Sequence, residues 1–593
     1  MADYRVDFED VKFVLRDQLD FGSITKAERY SGFTWDDFEA VLAASLEFTS
    51  KVIFPLQADC EVERPILKDG GVTLWPRYHQ VYKKYNDSQF GLLSVNPDLG
   101  GQGMPHTLGA IFLEFLVGAC PSFTFVPGLA KAAGNVIEHV GTPEQVATYC
   151  TKMYSGEWGG TMCLTEAHAG SAVGDLKTRA KRGDGHYLIS GSKIFISAGD
   201  SDLTSNVVHL VLARTDDAPP GIKGVSLFIV PKVRADGTFN DVRVTALEEK
   251  MGIHGSPTCQ LSFGDDGDCH GYLLGGECTG IEHMFLMMNE ARIAVGIQGV
   301  GIGNYGYQLA LAYAKERTQG VDVAAMRDPN APRVAIIEHP DVRRMLMTMK
   351  AYAEGLRSLL YSTATFYDRS LVATDAREKQ RYEHLIEILT PICKAYGSYR
   401  GFDIVDTAIL IHGGYGYCRE YQVEGLLRDV KIAAIYEGTN GIQALDLLGR
   451  KVSRQGGMMF MTFIQWMNEF IAANKEHPAH GGLVVKLEAA KNTLTMLTME
   501  FAQMNANKDI HYPVLNASPY LELFGAVVLA RLLIDQAVIA SKKLEGDTNE
   551  KERRFLEAKK HTAAFFVHRE LPKVDAYAAA IRSGDRSALD VVL

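Results

Sequence analysis

No C-x-x-C pair occurs among the nine cysteines, so neither a disulfide framework nor a zinc site is expected. Basic charge is also short. Sixty-one Lys and Arg face 72 Asp and Glu, a net charge of -11, which leaves no global field to hold phosphate backbones and argues against nucleic-acid binding. No uninterrupted apolar run approaches the ~20 residues of a membrane span. The opening segment Met1 to Asp10 is acidic and lacks the apolar stretch of a secretion signal. Together these absences lead to the expectation of a reducing, cytoplasmic location. H-E-x-x-H, G-x-S-x-G and G-x-x-x-x-G-K-[ST] are all missing, which removes the zincin, α/β-hydrolase and P-loop readings, and no metal ligand set is expected. Internal repeats and low-complexity tracts are missing too.

What remains is ordinary globular material, with 47% hydrophobic and 22% charged residues. That is too apolar for disorder, and the 593 residues allow about four units at ~150 residues each. From about Thr34 to Tyr154 apolar residues recur at helical spacing, as in Phe38, Val41, Leu42 and Leu46. The Gly- and Pro-rich stretch Pro97 to Pro105 is a predicted loop within this helical block. Near Trp158 the period changes. Short β-branched segments such as Tyr187 to Ser190, Val207 to Ala213 and Val225 to Val230 predict strands, with no long helix between them. A small antiparallel barrel or sandwich follows from that pattern. Helical spacing resumes at about Gly280 and runs to Val452, broken by turn-rich residues Thr318 to Pro340 and by Ile411 to Gly416. Further amphipathic helices follow Gly456-Gly457.

Gly301-Ile-Gly303-Asn-Tyr-Gly306 matches the dinucleotide-binding pattern G-x-G-x-x-G. Its context does not, because residues 284 to 313 read as one helix, where glycines permit close helix packing. Glu437 follows an apolar run and sits between Tyr436 and Gly438-Thr439. Local chemistry leaves two readings open: a solvated surface carboxylate, or a desolvated one whose raised pKa suits a general base. Taken singly, the Cys163 to Ser171, Ile194 to Gly199 and Met251 to Thr258 passages read only as strand ends and turns.

Taken together and in order, the passages resemble the acyl-CoA dehydrogenase flavoprotein family. They are Leu164-Thr-Glu-Ala-His-Ala-Gly-Ser171, Gly191-Ser-Lys-Ile-Phe-Ile-Ser197, Lys250-Met-Gly-Ile-His-Gly-Ser-Pro-Thr258, Glu290-Ala-Arg-Ile293, Tyr313-Ala-Lys-Glu-Arg317, Gly413-Gly-Tyr-Gly416, Leu427-Arg-Asp429 and Ile435-Tyr-Glu-Gly-Thr439. The resemblance implies an α+β fold, mostly α. Its expected parts are an N-terminal arm (1–33), a helical domain (34–155), a central antiparallel β-barrel (156–279), a four-helix-type bundle (280–455) and an additional helical domain (456–593).

It also implies FAD-dependent α,β-desaturation of an acyl-CoA thioester, with Glu437 as the base. Leu164, Thr165, Phe195 and Ser197 resemble residues along the flavin ring, and Thr439 and Gly441 further same-chain flavin contacts. Arg317, His339, Gly413 and Gly414 resemble groups lent by a neighbouring subunit to the ADP half of FAD, which implies a homo-oligomer. Ser171, Asn289, Arg292 and Gly438 match thioester contacts. Some positions depart from the pattern. Phe195 stands where many members carry tryptophan, Ala172 where an acidic residue is common, and Leu410 and Pro340 where glutamine is usual.

The added C-terminal part is similar to that of an extended bacterial subgroup that includes 3-methylthiopropionyl-CoA and medium-to-long-chain dehydrogenases, for which a dimer is expected. An electron-transfer flavoprotein is the implied acceptor, and an acyl-CoA oxidase using O2 is the near alternative. A DNA-associated flavoprotein of the same fold would need a basic C-terminal domain. Here Lys542, Lys543 and the Lys551 to Lys560 cluster alternate with Glu545, Asp547, Glu550, Glu552 and Glu557, the pattern of a solvated helix face.

Overall fold

The computed structural model describes residues 3–593, apart from the side chains of 285–287. In chain order the first elements are α1 (Phe8–Lys12), α2 (Trp35–Phe48), α3 (Leu56–Val62), β1 (Ile66–Lys68), β2 (Gly71–Thr73), α4 (Pro76–Ser88), α5 (His106–Ala119), α6 (Pro121–Val140) and α7 (Pro143–Tyr154). Next come β3 (Trp158–Cys163), β4 (Arg179–Arg182), β5 (Tyr187–Ser197), β6 (Asn206–Thr215), β7 (Ser226–Pro231), β8 (Val242–Leu247), β9 (Thr258–Phe263) and β10 (His270–Leu273). Then follow α8 (Gly280–Glu316), β11 (Thr318–Val321), β12 (Arg333–Ala335), α9 (Pro340–Val372), α10 (Ala376–His412), α11 (Val423–Lys431) and α12 (Asn440–Asp446). The last are α13 (Arg454–Asn474), α14 (Gly481–Ala506), α15 (His511–Leu515), α16 (Ala517–Leu544), α17 (Glu550–Arg569), α18 (Lys573–Arg582) and α19 (Ser587–Asp590). They divide into two compact units, Ala40–Ala294 and Met1–Glu39 with Val295–Leu593.

Within Ala40–Ala294 the strands close on themselves, because β10 pairs with both β7 and β5 while β6 and β4 complete the ring. Every residue of β6 is buried, as a strand covered on both faces requires. The barrel is mostly antiparallel, as expected, with two exceptions: β3 and β4 each pair with β6 in parallel. A parallel pair needs a long crossover, and for β3 the excursion through β4 and β5 supplies it. Ile189, Val211, Phe228, Val230, Leu261 and Phe263 fill the barrel. Its outer face, through Val208, Leu210, Leu227 and Ile229, packs on Ala133, Val136, Ile137 and Met153 of the helical block. That block is not all helix, a correction. Asp69 and Gly70 take left-handed φ values of 53° and 80° and turn the hairpin β1–β2, which sends Val72 into the barrel core.

In the second unit α8 lies against α10 at a row of small residues. A Cβ on Gly299 would stand 2.6 Å from the Gly397 carbonyl oxygen, and one on Gly303 3.2 Å from Gly401 Cα. The G-x-G-x-x-G match is therefore a helix-packing seam. Residues expected as turns between Thr318 and Pro340 include a two-stranded ribbon, β11–β12, a second correction. The junction at Gly456-Gly457 is a non-helical break in α13, with φ of 68° and 85°. Beyond it, α16 is the one helix among the described residues long and apolar enough to cross a membrane. Its mean hydropathy is 1.9, but 78% of that window is buried inside the protein, as in a core helix. The N-terminal arm is held by charge: Asp10 is fully buried and accepts from Arg357 and Lys559.

Candidate active site

Two motif strands meet at the open edge of the barrel. The Ile194 N–H donates to the Thr165 carbonyl at 3.0 Å, which sets the end of β3 beside β5. A buried ion pair ties the same two segments. Lys193 Nζ donates to Glu166 Oε1 at 2.8 Å and to the Leu164 carbonyl at 3.1 Å. Glu166 also accepts from the Lys177 N–H at 2.7 Å and the Thr178 hydroxyl at 2.6 Å. Burial alone would raise this carboxyl, but Lys193 and the other donors outweigh it and hold it at about 2.

The ladder of β5 is irregular between Lys193 and Ile196. There Phe195 takes φ 58°, and its ring is 59% exposed. A bulged strand re-aims a side chain in this way, and leaving a large aromatic in water is costly unless something covers it. The hydroxyls of Thr165 and Ser197 make no hydrogen bond among the described residues. Ser171 lies exposed in the loop after β3, while on α8 Asn289 is half-buried and Arg292 only 2% exposed.

In the other unit Glu437 lies between the turn Ile432–Ala434 and α12, half-buried, with φ 56°. Gly438 continues the left-handed turn at φ 79°. Such a pair of residues needs external support, and α12 gives it: Gln443 Nε2 donates to the carbonyls of Glu437 at 3.1 Å and Gly438 at 3.3 Å. Thr439 caps α12 by accepting from the Ile442 N–H. Asn440, the first residue of α12, is buried against α10, where Lys394 Nζ donates to its side-chain oxygen at 2.9 Å and the Ser398 hydroxyl at 3.1 Å. The Tyr436 hydroxyl donates to Gln298, and both burial and the Glu437 charge push it upward. The first of these causes is the larger. Gly441 is exposed on the first turn of α12.

Arg317, His339, Gly413 and Gly414 form a separate group. Arg317 lies 5.5 Å from the Tyr415 ring centroid, in the turn that Gly413 and Gly414 open. The Ile336 N–H donates to the Arg317 carbonyl at 2.8 Å, and His339 contacts the Gln319 carbonyl at 2.7 Å, so the β11–β12 ribbon links the two. Sequence reasoning assigned no role to Lys193, Glu166, Gln298, Lys394 or Gln443. A lysine inside a β-branched strand was the one visible signal among them, since an unpaired lysine is almost never fully buried.

The four parts of the chain each match a family profile: "Acyl-CoA dehydrogenase, N-terminal domain" at residues 36–157, "middle domain" at 161–265, "C-terminal domain" at 279–452 and "Acetyl-CoA dehydrogenase C-terminal like" at 463–591. A butyryl-CoA dehydrogenase of Syntrophomonas wolfei is 35% identical over 99% of this chain and 98% of its own length. The chain belongs to the acyl-CoA dehydrogenase family. Other acyl-CoA dehydrogenases are equally near. The 3-methylmercaptopropionyl-CoA dehydrogenase of Ruegeria pomeroyi is 35% identical over the full length of both chains. A broad-specificity linear acyl-CoA dehydrogenase of Mycobacterium tuberculosis is 37% identical over 84% of each. Among solved acyl-CoA dehydrogenase folds, Caenorhabditis elegans ACDH-11 in complex with C11-CoA superposes with a TM-score of 0.77 at 18% identity, covering 99% of this chain and 96% of its own.

As in other acyl-CoA dehydrogenases, the cofactor is FAD. The barrel edge fits that group. A flat ring system would cover the open Phe195 ring and give the unbonded Thr165 and Ser197 hydroxyls their partners.

Proposed function

We propose that this dehydrogenase desaturates an acyl-CoA thioester between its α and β carbons, with Glu437 taking the α-proton. The observation that carries this reading is the left-handed Glu437-Gly438 turn, fixed from behind by Gln443. A thioester α-proton is too weakly acidic for a carboxylate in water, so the base must be positioned and the thioester oxygen hydrogen-bonded as charge develops there. Gly438 supplies the positive φ that the turn needs and leaves room for the Gln443 amide packed behind it, and the Glu437 N–H is the proposed donor. Ser171, Asn289, Arg292 and Gly438 are proposed to hold the thioester arm. FAD, when bound, supplies the hydride acceptor. Leu164, Thr165, Phe195, Ser197, Thr439 and Gly441 are proposed to seat it, with Arg317, His339, Gly413 and Gly414 reaching the ADP half from a second subunit of a homodimer.

Electrons then pass to an electron-transfer flavoprotein. Rapid peroxide release under air, with octanoyl-CoA and no added acceptor, would instead assign an oxidase. The test of the base is Glu437→Gln. It should keep its yellow FAD and lose anaerobic bleaching by acyl-CoA, whereas bleaching at the wild-type rate would move the base to another residue. Running the same assay over linear, branched, aromatic and methylthio thioesters assigns the acyl group.

A further inference from the structure

Lys394 is wholly buried on α10, and its ammonium donates to Asn440 Oδ1 at 2.9 Å. An ammonium only donates and a backbone carbonyl only accepts, so the two orient the amide between them: Asn440 Nδ2 donates to the Ala395 carbonyl at 3.3 Å. Ser398 completes the group. Its hydroxyl has one proton, shared between the Ala395 carbonyl at 3.0 Å and Asn440 Oδ1 at 3.1 Å, and its oxygen accepts from Asn440 Nδ2 at 3.0 Å. Lys394 is therefore the one undivided donor to Asn440 Oδ1 among the described residues.

Asn440 opens α12, three residues after Glu437. Glu437 and Gly438 both hold left-handed φ, and Gln443 ties their carbonyls to α12. That tie sets the turn against its own helix and not against the bundle. The Asn440 side chain does the second job, because it joins the first residue of α12 to Lys394, Ala395 and Ser398 on α10. Taking an ammonium out of water is costly, and an apolar side chain of similar length would fill the space without that cost, so packing alone does not ask for a lysine here.

We propose that Lys394 is a positioning residue of the dehydrogenation: it locks the Asn440 amide and through it holds the Glu437 turn in place for taking the α-proton. This role rests on Glu437 being the base proposed for the reaction. A base displaced by a small distance slows the chemical step and leaves binding of the thioester arm alone, so the loss belongs in the limiting rate and not in the half-saturation concentration.

The experiment is stopped-flow anaerobic bleaching of the FAD-loaded protein by octanoyl-CoA, for the wild type, Lys394→Met, Asn440→Leu and the two combined. Each single variant should keep its FAD and half-saturate within about twofold of the wild type, while the limiting rate falls about tenfold or more. The double variant should be no slower than the slower single one, because both substitutions cut the same link. Adding 3-thiaoctanoyl-CoA separates proton from hydride. Its sulfur stands at the β position, so no hydride can leave, and the α-deprotonated thioester gives a long-wavelength band against oxidised flavin; that band should weaken along with the rate. Asn440→Asp keeps an acceptor for the ammonium and should bleach about tenfold faster than Asn440→Leu, a comparison that holds even where Lys394→Met does not fold. Wild-type bleaching by Lys394→Met, losses that multiply in the double variant, or equal rates for Asn440→Asp and Asn440→Leu overturn the proposal. So does a half-saturation concentration that climbs as the rate falls, with FAD lost, which assigns Lys394 to the fold alone. Glu437→Gln in the same assay keeps the two readings apart. If it bleaches, the base lies elsewhere and both readings fall; if it is silent while Lys394→Met matches the wild type, the positioning role falls by itself.

Discussion

Lys193 Nζ lies 2.8 Å from Glu166 Oε1, with the two side chains 0% and 4% exposed. The pair joins the Leu164-Thr165 segment to the β5 segment that carries Phe195 and Ser197, so an ion pair out of contact with solvent fixes both halves of the proposed flavin edge. Burial pushes the Lys193 ammonium down, and the Glu166 carboxylate that it donates to pulls the other way. Its role is positional: it holds backbone and not substrate.

Glu166→Gln should therefore damage the fold and the cofactor together, because it leaves a cation buried without its partner. A loss of about 3–5 kcal/mol is expected. Glu166→Leu combined with Lys193→Met removes both charges and should recover part of the unfolding midpoint in urea, the remainder staying lost because the Lys177 and Thr178 donors keep no acceptor. FAD retention should not recover, since the Leu164 carbonyl has lost its donor. Full FAD retention in the double variant would reject the positioning role.

Gln443 offers a second test, away from any reacting atom. Gln443→Leu deletes the donors to the Glu437 and Gly438 carbonyls and frees a left-handed non-glycine residue that costs roughly 1–2 kcal/mol to hold. Stopped-flow bleaching by acyl-CoA should slow about tenfold to a hundredfold, as small misplacements of a base do. The melting temperature should barely move. An unchanged bleaching rate would show that the turn is held by other contacts.

The alternation of helical and strand periods carried the order of the segments, since a buried helix face and a buried strand face write different spacings into the chain. Partners are another matter. Nothing in the residues of β3 or β4 states that either pairs with β6 in parallel, because strand spacing encodes the buried face and not the neighbour. Asp69-Gly70 was a legible hairpin signal, hidden because three-residue strands are too short to show alternation. At the proposed site, Glu437 was visible only through the neighbouring motifs. Gln443 was not visible at all, because its role depends on a helix folding back over the turn it follows.

The α8–α10 seam predicts a steric cost. A Cβ on Gly401 would lie 2.2 Å from the Gly299 carbonyl oxygen, and the atom met is backbone that cannot rotate away. Gly401→Ala should cost about 1–3 kcal/mol or more by overpacking. Gly449→Ala, where nothing lies within 4 Å, is the control. Equal urea midpoints for the two variants would refute the close-packed seam.

Asp10 makes the last prediction, one with a pH signature. Its carboxyl is fully buried, which alone would raise it, but Lys559 and Arg357 outweigh burial and lower it from 3.8 to about 2. A folded-state value below the unfolded one means stability that is complete above pH 3.8 and disappears as the pH falls toward about 2. Asp10→Asn removes that contribution and leaves two cations short of a partner, so at neutral pH it should lower stability by about 3–5 kcal/mol. Part of the loss is cushioned, because Glu354 still lies 3.2 Å from Lys559. The gap between wild type and variant, followed by circular dichroism in urea, should then narrow steadily below pH 4 as the wild-type carboxyl is protonated. A gap that stays constant from pH 7 down to pH 2 would mean that Asp10 does not anchor the N-terminal arm through its charge.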